Sequence, residues 1–119
     1  MSKKICVIGL GYIGLPTAAL LANNGYEVVG IDVNPKVINT INQGKIHIVE
    51  PDLENYVNQC VSSKRLRASL KPEFADIFII AVPTPFKENF QPDLSYIESA
   101  TLSIAPFVKE ENIIILEST

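Results

Sequence analysis

Three glycines in Gly9-Leu10-Gly11-Tyr12-Ile13-Gly14, directly behind the apolar run Ile5-Cys6-Val7-Ile8, have the spacing of a Gly-x-Gly-x-x-Gly turn that opens a helix. Such a turn can hold a pyrophosphate. Gly9 permits a tight strand-to-helix turn, Gly11 lets backbone amides approach phosphate oxygens, and Gly14 lets helix and strand pack closely. The positive end of the helix adds attraction for the anion. A second apolar segment, Glu27-Val28-Val29-Gly30-Ile31, ends in Asp32. That acid lies about twenty residues beyond the glycines, where a carboxylate can accept hydrogen bonds from the adenosine ribose hydroxyls. It would also repel a 2′-phosphate, and neither Val33 nor Asn34 supplies the arginine that accommodates one, so the pattern points to NAD rather than NADP. Lys36 is the nearby cation that speaks for NADP. The plainer alternative is that Asp32 caps a helix with no ligand.

Two further segments belong with these. In Pro83-Thr84-Pro85 the prolines hold the backbone extended and leave the Thr84 hydroxyl and neighbouring amides free to meet a cofactor, although an ordinary proline-rich loop reads the same way. Glu117-Ser118-Thr119 follows a last apolar run and offers hydroxyls and a carboxylate.

Other reactive side chains read as structural. His47, the single histidine, sits between Ile46 and Ile48 in a loop with no visible partner for acid–base work. Cys6 and Cys60 fall in a strand and a helix with no CxxC or metal-ligand spacing, so both read as inert core thiols in a reducing compartment. Lys64, Arg65 and Arg67 end a helix, where cations suit the dipole and solvent. Glu50, Asp52 and Glu54 suit a charged helix start rather than a metal site.

The elements that must position these groups alternate. Helices are expected over Tyr12 to Asn24, with Pro16 in the first turn and Gly25 closing it, and over Pro35 to Asn42, capped by Asn34. A third starts at Asp52 and turns Leu53, Tyr56, Val57 and Cys60 toward the core, and a fourth covers Leu94 to Val108. Strands are expected at Leu66 to Leu70, at Ile77 to Val82 as a central strand covered on both faces and stopped by Pro83, and at Ile113 to Leu116 as a final buried strand. Alternation of this kind predicts an α/β fold: a Rossmann-type doubly wound parallel sheet, three-layer α/β/α, with ligands at the carboxyl ends of the strands where their order reverses.

The 119 residues fit one domain with a core large enough to need no disulfide or metal. Ten Lys+Arg against thirteen Asp+Glu, net −3, argue against nucleic acid or an anionic membrane as partner. No apolar run approaches the roughly twenty residues that span a bilayer, and Met-Ser-Lys-Lys leads straight into the first strand, so a cytoplasmic location is expected. The sequence stops at the mouth of a strand, where this architecture normally continues, and reads as part of something longer.

On these residues the chain resembles, along its whole length, the N-terminal domain of the UDP-glucose/GDP-mannose dehydrogenase family. Gly9-Leu10-Gly11-Tyr12-Ile13-Gly14-Leu15-Pro16, Ala81-Val82-Pro83-Thr84-Pro85 and Glu117-Ser118-Thr119 stand in the family's order and approximate spacing. Residues Ile46 to Leu53 and the extension to Phe86-Lys87 look most like the members that oxidise UDP-N-acetyl-D-mannosamine. The resemblance implies a two-step, four-electron oxidation of a sugar C6 alcohol to a carboxylate with two NAD+, in the service of surface polysaccharides. It also implies NAD contacts by Tyr12, Ile13, Asp32 and Thr84, and cofactor contact with positioning of the catalytic water by Thr119, with Glu117 a weaker candidate.

UDP-glucose members commonly carry an arginine where Val37 aligns, which points away from UDP-glucose. The family's nucleophilic cysteine, its lysine and asparagine and its UDP-sugar contacts lie beyond residue 119. Residues 1–119 are therefore expected to be an NAD-binding Rossmann domain without the central helix and UDP-sugar-binding domain, inactive alone and homodimeric as the full-length protein. Alternatives left open are a dehydrogenase of UDP-N-acetylglucosamine or UDP-glucose, a related hydroxyacid enzyme, a stand-alone NAD-sensing module, and a domain that has lost its ligand and serves in assembly.

Overall fold

The computed structural model describes residues 3–85, 87–89 and 91–117. The elements run β1 (Lys4–Ile8), α1 (Gly14–Asn23), β2 (Glu27–Ile31), α2 (Pro35–Asn42), α3 (Leu53–Ser62), β3 (Leu66–Ser69), β4 (Ile77–Ile80), α4 (Ser95–Ile104), a 3₁₀ turn (Ala105–Phe107) and β5 (Ile113–Leu116). The five strands form one sheet in the order β3-β2-β1-β4-β5, parallel throughout. The chain moves outward from β1 through β2 to β3, then crosses back to place β4 on the other side of β1. That reversal opens a crevice between the carboxyl ends of β1 and β4.

Side-chain alternation along the strands splits the core into two layers and gives the three-layer α/β/α fold. Ile5, Val7, Val28 and Ile79 point to α1, α2 and α3, where they meet Leu15, Ala18, Ile41, Val57 and Cys60. Cys6, Ile8, Val29, Phe78 and Ile80 point the opposite way, to Ala100 and Ile104 of α4. Both faces of β1 and β4 are thus covered, which is why their sequences read as unbroken apolar runs.

The helix starts and stops follow local chemistry. Asn34 caps α2, its side chain accepting from the Lys36 amide with Pro35 in the first turn, and Gly25 leaves α1 at φ +100°. Tyr12 and Ile13 belong to the glycine turn, so α1 begins later than the composition suggests. The last helix is shorter than expected at its far end, because Pro106 has no amide to continue the ladder and the chain tightens into the 3₁₀ turn. Asp52 does precede α3, but in the left-handed region at φ 63° and without a side-chain cap bond.

Two expectations are corrected. The final strand is not buried: Ile113, Ile114, Ile115 and Leu116 are each about half exposed, between 44% and 56%. Among the described residues β5 has β4 as its one neighbour, and α4 packs over Phe78 and Ile80 instead of over β5. Arg67 is not part of a solvated helix end. It lies in β3, and its guanidinium forks onto Glu73, with Nη1 to Oε2 at 2.6 Å.

Glu73 also accepts from Lys4 Nζ at 2.8 Å, tying β1, β3 and the segment before β4 together. The Arg67 and Lys4 hydrogen bonds hold its carboxyl down to about 2, from an ordinary 4.5. A depressed carboxyl stabilises the fold fully above its ordinary range and loses that contribution as pH falls toward its folded value. Arg67 is 48% exposed, and solvent screening limits the effect. Glu73→Gln is expected to cost about 1 kcal/mol near neutral pH, with the difference from the unaltered chain shrinking between pH 4.5 and about 2. Urea melts across that range measure it, and a gap that widened with acidification would refute it.

Candidate functional site

The crevice at the strand ends encloses about 610 Å³ and is lined by the glycine turn, Ile31-Asp32-Val33, Leu70 and Pro72, Ala81 to Thr84, one face of α4, and Glu117. It therefore gathers Gly9, Gly11, Tyr12, Ile13, Asp32 and Thr84 around one space, with Gly14 buried directly beneath. Thr119 lies outside the described residues.

Each glycine is needed for a different reason. Gly9 sits at φ +99°, and its amide donates to the Ile31 carbonyl at 2.7 Å, fastening the turn to β2. A Cβ on Gly14 would stand 1.7 Å from the Gly9 carbonyl oxygen. The start of α1 is thus pressed against the end of β1 at a distance only glycine tolerates. Gly11 differs: its φ is not positive, and a Cβ there would meet nothing within 4 Å. Protein packing explains the first and last glycines but not the middle one, whose missing side chain keeps crevice space open beside the backbone. Among the described residues, the amides of Gly11, Tyr12 and Ile13 donate to no protein acceptor. A cradle of free amides at a helix start, next to space that a side chain would fill, fits a pyrophosphate.

Asp32 closes the other side. Its Oδ2 accepts from the Leu10 amide at 3.1 Å and its Oδ1 from the Asn34 amide at 3.0 Å. It therefore anchors the glycine turn to the tip of β2 and shapes the entry to α2, while Asn34 does the capping. Each carboxylate oxygen keeps a lone pair free for a ribose hydroxyl. Among the described residues lining the crevice there is no Lys or Arg. Lys36, the cation that favoured NADP, is on the exposed surface of α2.

Both cysteines lie in the core. Cys6 is buried, and desolvation pushes its thiol up to about 11. Burial also raises Cys60, whose Sγ donates to the Ala19 carbonyl at 3.4 Å. Neither presents a thiolate at neutral pH. His47 is exposed in its loop, and no cluster of three or more potential metal ligands occurs among the described residues. Among the described residues no helix is long and apolar enough to cross a membrane.

Sequence reasoning missed one wall of the site. Tyr96, Ser99 and Ser103 line the crevice from α4. Their i, i+3, i+7 spacing was a legible signal: a stripe carrying hydroxyls beside the apolar Ala100 and Ile104. It also missed the contact between Thr17 and Glu117, 100 positions apart, in which Thr17 Oγ1 lies 2.9 and 3.0 Å from the two carboxylate oxygens.

Known proteins with the same design exist. The model of the UDP-glucose/GDP-mannose dehydrogenase family, NAD binding domain, matches residues 3–119. An NDP-N-acetyl-D-galactosaminuronic acid dehydrogenase of Ralstonia nicotianae is 58% identical over 98% of this chain and 28% of its own length. A UDP-N-acetyl-D-mannosamine dehydrogenase of Campylobacter jejuni is 56% identical over 98% of this chain and 29% of its own length. The native structure of the UDP-N-acetyl-mannosamine dehydrogenase from Staphylococcus aureus superposes with a TM-score of 0.94 at 45% identity, covering 98% of this chain and 29% of that one. The chain thus spans under a third of the length of each of these three relatives.

Two substitutions test the geometry. Gly14→Ala should destabilise the fold by about 3 kcal/mol or more, because neither the helix start nor the Gly9 carbonyl can move away without opening the turn. Asp32→Ala should lower stability by about 1–2 kcal/mol through the two orphaned amides. Thermal melts read both, and a Gly14→Ala protein as stable as the parent would show the close approach to be wrong.

Proposed function

Because this chain belongs to the UDP-glucose/GDP-mannose dehydrogenase family, we propose that it is the NAD-binding part of a nucleotide-sugar 6-dehydrogenase acting on a UDP-linked N-acetylhexosamine, UDP-N-acetyl-D-mannosamine being the first choice. In that reading the enzyme converts the sugar C6 alcohol to a carboxylate in two oxidations, water supplying the second oxygen and two NAD+ accepting two hydrides. Bound NAD supplies the hydride acceptor. The residues here bind and orient it: the amides of Gly11, Tyr12 and Ile13 take the pyrophosphate, Asp32 takes the adenosine ribose, and Thr84 and the α4 face line the far half. The water-positioning role assigned to Thr119 and the homodimer expected of the full-length protein belong to the same proposal.

The observation that carries the cofactor reading is the open space beside Gly11, which nothing in the protein requires. The choice of sugar rests on relatives whose names carry N-acetylated hexosamines. A second reading, an N-acetyl-galactosamine-type sugar, is favoured by the identity of the Ralstonia relative, which is as high as that of the mannosamine dehydrogenases.

Gly11→Ala separates ligand from fold. The variant should keep its stability to within about 0.5 kcal/mol and lose NAD affinity by about tenfold or more, since a Cβ would occupy the approach to the phosphates. Calorimetric titration alongside a thermal melt reads both quantities. Unchanged NAD affinity would remove the pyrophosphate from this turn.

A further inference from the structure

One carboxylate at the mouth of the crevice, that of Glu117, has no part in the contacts of the proposed NAD site. Glu117 follows β5 directly. Its amide donates to the Ile80 carbonyl at 2.9 Å, which extends the pairing with β4 and fixes the residue beside the crevice that it lines. Thr17, in α1, holds the carboxylate with its hydroxyl at 2.9 and 3.0 Å from the two oxygens. The acid is therefore anchored from the strand at its backbone and from the helix at its side chain, and no lysine or arginine is among the described residues that line the crevice.

The order of the strands determines which part of a dinucleotide meets this group. Asp32 ends β2 and marks the adenosine side, and the glycine turn on neighbouring β1 marks the pyrophosphate. The nicotinamide half then extends over β4 toward β5. We propose that Glu117, positioned by Thr17, makes the site prefer the oxidised cofactor over the reduced one. The nicotinamide ring is positive in NAD+ and neutral in NADH, and the two molecules are otherwise alike, so a fixed carboxylate on that side attracts only the first. Repulsion between Glu117 and the pyrophosphate is common to both forms and cancels in the ratio of their affinities. In a crevice only partly shielded from water the attraction is stronger than in bulk solvent and still open to screening by salt. The consequence suits an enzyme working in the oxidising direction, since the site retains the cofactor it consumes and releases the one it makes.

The inference rests on the NAD reading above, and the ratio of two affinities tests it separately. The full chain is titrated with NAD+ by calorimetry and with NADH by fluorescence at low salt. The unaltered chain should bind NAD+ more tightly. Glu117→Gln, which still accepts from Thr17, should lower the NAD+ to NADH affinity ratio by about fivefold, whatever change in absolute affinity the two forms share. Thr17→Val should move the ratio the same way by less, and Thr17→Ser should restore it. Added salt should narrow the ratio in the unaltered chain and leave it flat in Glu117→Gln. Equal weakening of both cofactors by Glu117→Gln, or an unaltered chain that holds NADH as tightly as NAD+, would overturn the proposal. Failure of the unaltered chain to bind either cofactor would overturn the NAD reading itself, and this inference with it.

Discussion

The start of α1 can stand over the end of β1 only because residue 14 has no side chain. A Cβ there would sit 1.7 Å from the Gly9 carbonyl oxygen, well inside any tolerable contact, so the pairing of helix and turn is a steric absolute rather than a preference. Everything at the crevice inherits its position from this contact. It directs the free amides of Gly11 to Ile13 and the partial positive charge of α1 toward the crevice between β1 and β4. It also puts Thr17 within reach of Glu117. Asp32 reinforces the arrangement by accepting the Leu10 amide, so the turn is held from beneath by packing and from the side by a charged hydrogen bond.

Local spacing carries local structure, and that is where the sequence was readable. The glycine turn, the alternation of strands and helices, the Asn34 cap and the acid at the end of β2 all depend on residues within a few positions of one another, and each is found where its neighbours predict it. Elements bounded by a single chemical event also shifted for a local reason: Pro106 shortens the last helix, and the turn takes Tyr12 and Ile13 from the first.

The rest depends on which elements meet, and no short window holds that information. Thr17 and Glu117 are 100 positions apart and come together only once the sheet order sets β4 and β5 on the far side of β1. Arg67 looked like one of three clustered cations, yet the strand that carries it turns its guanidinium onto Glu73. The exposure of Ile113 to Leu116 is the sharpest case, because an apolar run states what a strand would bury and not whether anything lies over it. Asp32 falls between these cases. Its place was legible from spacing, whereas its second task, joining two loops, appears only when the carboxylate is seen between two amides.

Among the described residues no cation lines the crevice, so a site that binds an anion there must attract it with its backbone, which divides the work between main chain and side chains. The amides of a glycine turn cannot be varied by substitution without moving the chain, so they suit the pyrophosphate, the part common to every dinucleotide. The groups that can be varied stand at the strand tips on either side, Asp32 and Glu117, where dinucleotides differ in the adenosine ribose and in the charge of the nicotinamide ring. Both are acids, and a backbone cradle permits this where a lysine-lined pocket would pair them with cations; in the proposed site each would discriminate at its own end. On that proposal affinity and selectivity are set by different parts of the same crevice, the first by steric contact between α1 and β1, the second by two carboxylates fixed through hydrogen bonds to that same framework.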